Sequence, residues 1–256
     1  MKAVEEFRST LQKGEVCLGA SIGFADPYIS YALADYFDFL WLELEHCAMS
    51  ADAVNGHFLA GYSKNVPVFV RLPGSGTYII KPVLDSGASG IIIPQVRNAE
   101  EVKQVVDDCR YYPVGRRGFG PRIPSNFDRN NGKEYVDWAN RNVFVAVMIE
   151  NMDAVDCIDE ILRVPGLDSI VIGPMDLSAS MGLLGEINHP KVAETIDRVI
   201  GKARDAGVFV GAGVGPDADA AIKMIQRGVQ WIQVGNDHHY IIKYAEGMTS
   251  EIKRRL

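Results

Sequence analysis

Eight short, almost unbroken apolar runs punctuate the chain: CLGASIG (17–23), DFLWLEL (38–44), PVFVR (67–71), SGIIIP (89–94), VFVAVMI (143–149), DSIVIG (168–173), VFVGA (208–212) and QWIQV (230–234). Runs of this length without clear alternation suit parallel strands buried on both faces. Helical patterns separate them. Asp26-Pro27 reads as an N-cap and first-turn proline for a helix to about residue 36. Ser50 caps 51–63, a further helix spans 76–86 and ends near Gly87, and Asn98 opens 98–110 with acids in its first turn. The segments 152–163, 190–206, 217–227 and 237–254 complete the set, and 3–13 forms an extra helix ahead of the first strand. Strands alternating with helices predict a right-handed parallel α/β arrangement. Eight units predict closure into a (β/α)8 TIM barrel occupying 1–256 as one domain, with the N-terminal helix covering its bottom. The longest irregular stretch, PVGRRGFGPRIPSNFDRNNG (113–132), has the length of a functional loop, either a lid or an oligomer contact.

Composition narrows the function. With 256 residues, 47% of them hydrophobic, the chain can build one large core, and such a barrel usually takes about 250 residues. A net charge of −7 argues against a nucleic-acid or membrane-surface partner, which would need a basic face. No apolar run is long enough to cross a membrane, and MKAVEEFRSTLQKGE lacks the apolar core of a signal peptide. Cys17, Cys47, Cys109 and Cys157 have no metal-like spacing, so reduced thiols and a cytoplasmic location are expected. Cys47, next to His46, is the one with a place near a site.

Four of the strands end in ionisable groups: Glu45 and His46 after the second, Arg71 at the third, Glu150 at the fifth, Asp176 after the sixth. In a barrel these tips share one rim. Glu150 and Asp176 offer hard oxygen ligands suited to Mg²⁺ or Mn²⁺. The same two acids would equally serve as caps for the helices that follow them. The helix start at GPMDLS also exposes backbone N–H groups around Met175 and Asp176, suited to a carboxylate. Arg71 is either a clamp for a carboxylate or oxyanion, or a structural rim ion pair. His46 has the pKa range of a general base. PGSG (73–76), GAGVG (211–215) and VGN (234–236) read mainly as space for a substrate above the barrel.

The blocks LELEHCAMS (42–50), VFVRLPG (68–74), VLDSGASGIIIPQV (83–96), GRRGFGP (115–121), VMIEN (147–151) and IGPMDLSASMG (172–182) together resemble the metal-dependent, class II pyruvate aldolases of the HpcH/HpaI type. The resemblance covers about residues 15–240 in the family's order. It implies a TIM barrel whose last helix is often exchanged between partners, in dimers assembled into hexamers. It implies Glu150 and Asp176 as ligands of a divalent ion (Mg²⁺, Mn²⁺ or Co²⁺). It places the substrate carboxylate on the Gly173–Met175–Asp176 backbone and Arg71 on the enolate oxygen. His46 would be the base, Asp85 its partner, and Glu45 would orient metal-bound water. The implied reaction is reversible cleavage of 4-hydroxy-2-oxo acids to pyruvate and an aldehyde. No lysine is needed, since Lys64 and Lys81 lie in helical segments away from the strand tips.

The chain departs from the family pattern at Met148, where many members have glutamine, at Glu43, where aspartate is common, and at Cys47-Ala48-Met49. Asp85 closes a helix that runs away from the rim, so it reaches a His46 only if that helix is displaced or if the Asp85 is a neighbouring subunit's. Two alternatives stand beside the aldolase. One is an acyl-CoA lyase of the citrate-lyase or malyl-CoA type, which would need Arg116, Arg117, Arg122 and Arg129 as a phosphate groove. The other is a non-catalytic barrel that binds an oxo acid.

Overall fold

The computed structural model describes residues 2–130 and 132–256. Eight parallel strands close into a barrel in sequence order, with the last strand bonded to the first. They are β1 (Cys17–Ile22), β2 (Phe39–Glu43), β3 (Val68–Arg71), β4 (Gly90–Ile93), β5 (Phe144–Ile149), β6 (Ser169–Ile172), β7 (Phe209–Val214) and β8 (Trp231–Asn236). The helices are α1 (Lys2–Gln12), α2 (Pro27–Leu33), α3 (Ala51–Lys64), α4 (Thr77–Ser86), α5 (Ala99–Cys109), α6 (Lys133–Asn142), α7 (Met152–Asp156), α8 (Ile158–Ile161), α9 (Pro174–Ser180), α10 (Pro190–Asp205), α11 (Ala218–Gln226) and α12 (Asp237–Arg255). The expected caps are present: the side chains of Asp26, Ser50 and Asn98 accept from first-turn N–H groups of α2, α3 and α5. The expected helix 152–163 is two short pieces, α7 and α8; α9 begins at the expected helix start GPMDLS, and α6 is additional. None of the described helices is long and apolar enough to cross a membrane.

Side chains on successive residues of each strand point alternately into the lumen and out toward the helices. The outward set, including Leu40, Leu42, Val70, Ile91 and Ile93, packs with the helices in one large cluster. The inward set forms a separate cluster of Phe39, Trp41, Phe69, Ile92, Phe144, Met148 and Trp231. Phe7 from α1 closes its bottom, with ring centroids 4.8 Å from Phe69, 5.4 Å from Phe144 and 5.6 Å from Phe39. The first helix therefore plugs the barrel as expected. Gly211 is needed by this packing, because a Cβ there would fall 2.3 Å from the Trp231 ring. A Cβ on Gly213 would likewise lie 2.7 Å from Gln233 Oε1. These two glycines of the GAGVG run make room for the barrel's own interior rather than for a substrate, correcting that expectation.

Register fixes what stands above the aromatic layer. Glu43 lies directly across from Arg71 in the β2–β3 ladder, two residues beyond the Trp41–Phe69 pair. Continuing the alternation of β5 past Phe144, Ala146 and Met148 brings Glu150 to the lumen side.

Candidate active site

The upper lumen gathers the charged strand tips. Glu43 and Glu150 are buried, at 5% and 2% exposure. Arg71 donates from Nε to Glu43 Oε2 at 2.6 Å, and its Nη1 lies 3.1 Å from Glu45 Oε2. Beneath it sit the Trp41 ring, 5.8 Å from the guanidinium carbon, and the Met148 sulfur, 3.9 Å from Nη1. Glu43 Oε1 accepts from the backbone N–H groups of Glu45 (2.8 Å) and His46 (3.1 Å). His46 stands outermost, its side chain 70% exposed and its Nε2 3.6 Å from Glu45 Oε2.

Neither Glu150 nor Asp176 makes a side-chain cap bond, although Asp176 lies in the first turn of α9, where the helix dipole favours an acid. The cap of α7 is Asn151, whose side chain accepts from Ala154, and α9 starts at Gly173 with no side-chain cap at all. Glu150 Oε1 accepts the Gln95 N–H at 2.7 Å, and Gln95 takes a left-handed φ of 55° to present it. The carboxylate lies so close to β6 that a Cβ on Gly173 would fall 2.5 Å from Oε2. Burial pushes the Glu150 carboxyl up to about 7; the Gln95 N–H opposes this, and the charges of Asp176 and Glu45 add to it. Glu45 is also raised, first by burial and then by Glu43 and Asp176, against the pull of Arg71 and His46. Asp176 is exposed in the first turn of α9, where N–H groups have no partner inside the helix.

Glu45 and Glu150 thus feel each other's charge or that of Asp176, with the Arg71 guanidinium beside them. Such a grouping repels itself unless a cation joins it. The donors are all hard oxygens, and the Gly173 cradle keeps Glu150 Oε2 free of a side chain, so the residues fit a small divalent ion. No three His, Cys, Asp or Glu side chains converge as a ready-made cage among the described residues. The protein would supply a carboxylate pair and leave the other positions to water and substrate.

Two expected participants lie elsewhere. Asp85 ends α4 at the opposite end of the barrel, where it pairs with Arg117; the Arg117 side chain is fully buried and stacks on Tyr111 at 4.6 Å. No bond joins Asp85 to His46 of its own chain among the described residues, so an intrachain dyad is not formed. The described residues of the 113–132 stretch pack there too, with Arg122 N–H donating to the Asp85 carbonyl at 3.3 Å. They therefore lie at the face away from the acids and form no lid over their own site. Cys47 borders the site, but burial and the charges of Glu43 and Asp237 push its thiol up, the reverse of an activated nucleophile. Lys64 is occupied by Asp35 at 2.8 Å, away from the strand tips. Glu43 is the residue whose place in the site was not anticipated. The available signal was its two-residue spacing from Trp41 on a strand whose inward face was unassigned.

A closed (β/α)8 barrel with ionisable groups gathered at the C-terminal ends of its strands is the architecture of a large class of enzymes. The profile of the HpcH/HpaI aldolase/citrate lyase family matches residues 23–243, and the chain belongs to that family. A hydroxypyruvate/pyruvate aldolase of Roseovarius nubinhibens is 35% identical over 90% of each chain. A 4-hydroxy-2-oxo-heptane-1,7-dioate aldolase of Salmonella dublin is 33% identical, covering 95% of this chain and 93% of the relative. The crystal structure of an HpcH/HpaI aldolase from Desulfitobacterium hafniense superposes with a TM-score of 0.88 at 30% identity, covering 96% of both chains. The expected family, barrel and carbon–carbon lyase class all stand.

Proposed function

We propose that this chain is a divalent-metal-dependent aldolase that reversibly cleaves 4-hydroxy-2-oxo acids to pyruvate and an aldehyde. The observation that carries the reading is the uncapped, mutually repelling pair Glu150 and Asp176 beside Arg71. Glu150 and Asp176 would hold the ion, Mg²⁺, Mn²⁺ or Co²⁺. Bound there, it supplies Lewis-acid polarisation of the substrate's carbonyl. The substrate carboxylate rests on the backbone around Gly173, Met175 and Asp176. Arg71 Nη2 makes no hydrogen bond among the described residues, and it meets the oxygen on which negative charge develops. His46 moves the proton, from the C4 hydroxyl in cleavage or from the pyruvate methyl in the reverse direction, and Glu45 orients water beside it. Enolate formation needs no Schiff base, in keeping with the absence of a lysine among these residues.

Asp85 joins this scheme as a neighbouring subunit's contribution. Two features support an assembly of copies, of the dimer-based hexameric kind. Only Asp237 is buried along the 19 residues of α12. The helix leaves Ile241, Ile242, Tyr244, Met248 and Ile252 about half exposed or more, a face suited to exchange with a second copy. The acyl-CoA reading is less supported. Of its four arginines, Arg117 is buried on Asp85 and Arg116 is engaged by Gln104 and Asp107, both on the face away from the acids.

The test is exchange of the pyruvate methyl protons in deuterated water with Mn²⁺ present. The wild type exchanges without coenzyme A, and Glu150→Ala and Asp176→Ala fall to background. Exchange retained in both variants refutes the assignment, and a wild type with none favours an oxo-acid binder.

A further inference from the structure

Arg71 ends β3 and His46 lies in the turn after β2, yet one carboxylate holds both. Glu43 is 5% exposed and sits inside β2's inward row, above Phe39 and Trp41. Its two oxygens are divided between two tasks. Oε2 takes the Arg71 Nε–H across the β2–β3 ladder at 2.6 Å. Oε1 takes the N–H groups of Glu45 and His46, closing a turn that sets the direction of both side chains. Three donors thus converge on one buried carboxylate, which leaves little of it for solvent or substrate. Arg71's second acidic contact, Glu45 at 3.1 Å, is itself carried by the turn that Glu43 closes.

We propose that Glu43 is the positioning residue of the site, locking the oxyanion clamp Arg71 and the base-bearing turn 44–46 into one unit. The catalytic consequence rests on the aldolase reading; the mechanical one does not. Side-chain length matters here. A carboxylate one methylene shorter still closes a local turn on the N–H two residues on, as aspartate commonly does. It withdraws, however, from Arg71. Glutamine has one acceptor oxygen for these two tasks; with that oxygen kept on the two N–H groups of the turn, its NH₂ meets the Nε–H and the contact with Arg71 becomes donor against donor. Both substitutions release the clamp while leaving the turn, and both free Arg71 to follow Glu45 or the Met148 sulfur.

The experiment is a double-mutant cycle of Glu43→Gln and Arg71→Ala on pyruvate methyl exchange by the Mn²⁺-loaded full chain. Glu43→Gln should lower kcat about 10–100-fold, the range for partners that orient a reacting group, with a smaller change in KM. Added to Arg71→Ala it should cost less than about threefold, because it acts through the arginine. A Glu43→Gln enzyme within threefold of wild type, or one whose full loss persists on top of Arg71→Ala, overturns the proposal. Glu43→Asp is the second variant should the glutamine form not fold, and the same outcomes apply to it. A readout independent of turnover separates this inference from the aldolase reading. The Arg71 Nε–H resonance, assigned by its loss in Arg71→Ala, should exchange with solvent at least tenfold faster in Glu43→Gln or Glu43→Asp. An unchanged rate overturns the positioning role whatever the enzyme catalyses, whereas a wild type without methyl exchange counts against the aldolase alone.

Discussion

The two ends of the barrel lumen are lined by the same strands in the same alternation, and they use burial in opposite ways. At the lower end, Phe7, Phe39, Phe69, Phe144 and Trp231 meet edge to face and tilted, with centroids 4.8–6.2 Å apart. That layer removes aromatic surface from water and carries no charge. Two residues further along β2 and β3, Trp41 and Phe69 give way to Glu43 and Arg71. Burial there raises the protonation pKa of Glu150 instead of adding cohesion. Stability is concentrated below and function above, in the manner expected of this architecture. The upper layer is tolerable only because each charge is held: Glu43 by three donors, Arg71 by two acids, and Glu150 by one N–H and, in the proposed enzyme, a cation.

Substitutions at the two ends should therefore dissociate stability from activity. The largest expected effect is below. Phe7→Ala removes the plug and should destabilise the fold by about 3–5 kcal/mol in denaturant unfolding, with methyl exchange per folded molecule unchanged. Above, Arg71→Ala should lower kcat for exchange by about 10²–10³-fold while moving the unfolding midpoint far less. A Phe7→Ala enzyme that loses turnover while folded, or an Arg71→Ala enzyme that loses stability and keeps turnover, would break the division.

A pH effect follows in the metal-free protein. The folded-state pKa of Glu150 is about 7, above its ordinary 4.5, so between those values the folded chain binds a proton that the unfolded chain lacks. Stability from this group is therefore greatest at the acid end and falls as pH rises through the window. Glu45, raised in the same direction, adds to the trend. His57, whose pKa burial lowers, opposes it at acid pH. The slope due to Glu150 is thus the difference between wild type and Glu150→Gln, measured by thermal unfolding from pH 5 to 8. Saturating Mn²⁺ should reverse its sign, because the ion competes with the proton for the same oxygens. The smallest effect belongs to Met148→Gln. An amide oxygen in place of the sulfur gives Arg71 Nη1 a true acceptor, and the amide donors face the substrate. KM for pyruvate should fall by an amount equivalent to one hydrogen bond, about 0.5–1.5 kcal/mol, read from the concentration dependence of exchange.

The contrast between the two ends also explains what the sequence made legible. All eight strands stood out, because a parallel strand covered on both faces must be apolar at nearly every position. Helix α6 did not, since KEYVDWANRN is mostly polar and buries only Tyr135 and Ala139. Glu150, Arg71 and Asp176 were visible as charges interrupting apolar runs at strand ends. Whether the two acids capped helices was not, because Asn151 stands beside Glu150 and takes the cap. Glu43 read as a departure from a family pattern, and its role depends on the lateral register with Arg71, which no single strand contains. Asp85 was expected to lie away from the rim of its own chain, and its bond to Arg117 agrees. What it does for a neighbouring copy depends on surfaces between chains.

The central claim is that the upper layer is a cation site built from Glu150 and Asp176. Titration of the metal-free protein with Mn²⁺, followed by the loss of the free-ion electron paramagnetic resonance signal, tests it most directly. The account predicts one Mn²⁺ bound per chain in the wild type and in Arg71→Ala, and binding lost in Glu150→Ala and in Asp176→Ala. Both alanine variants binding Mn²⁺ as the wild type does would contradict it.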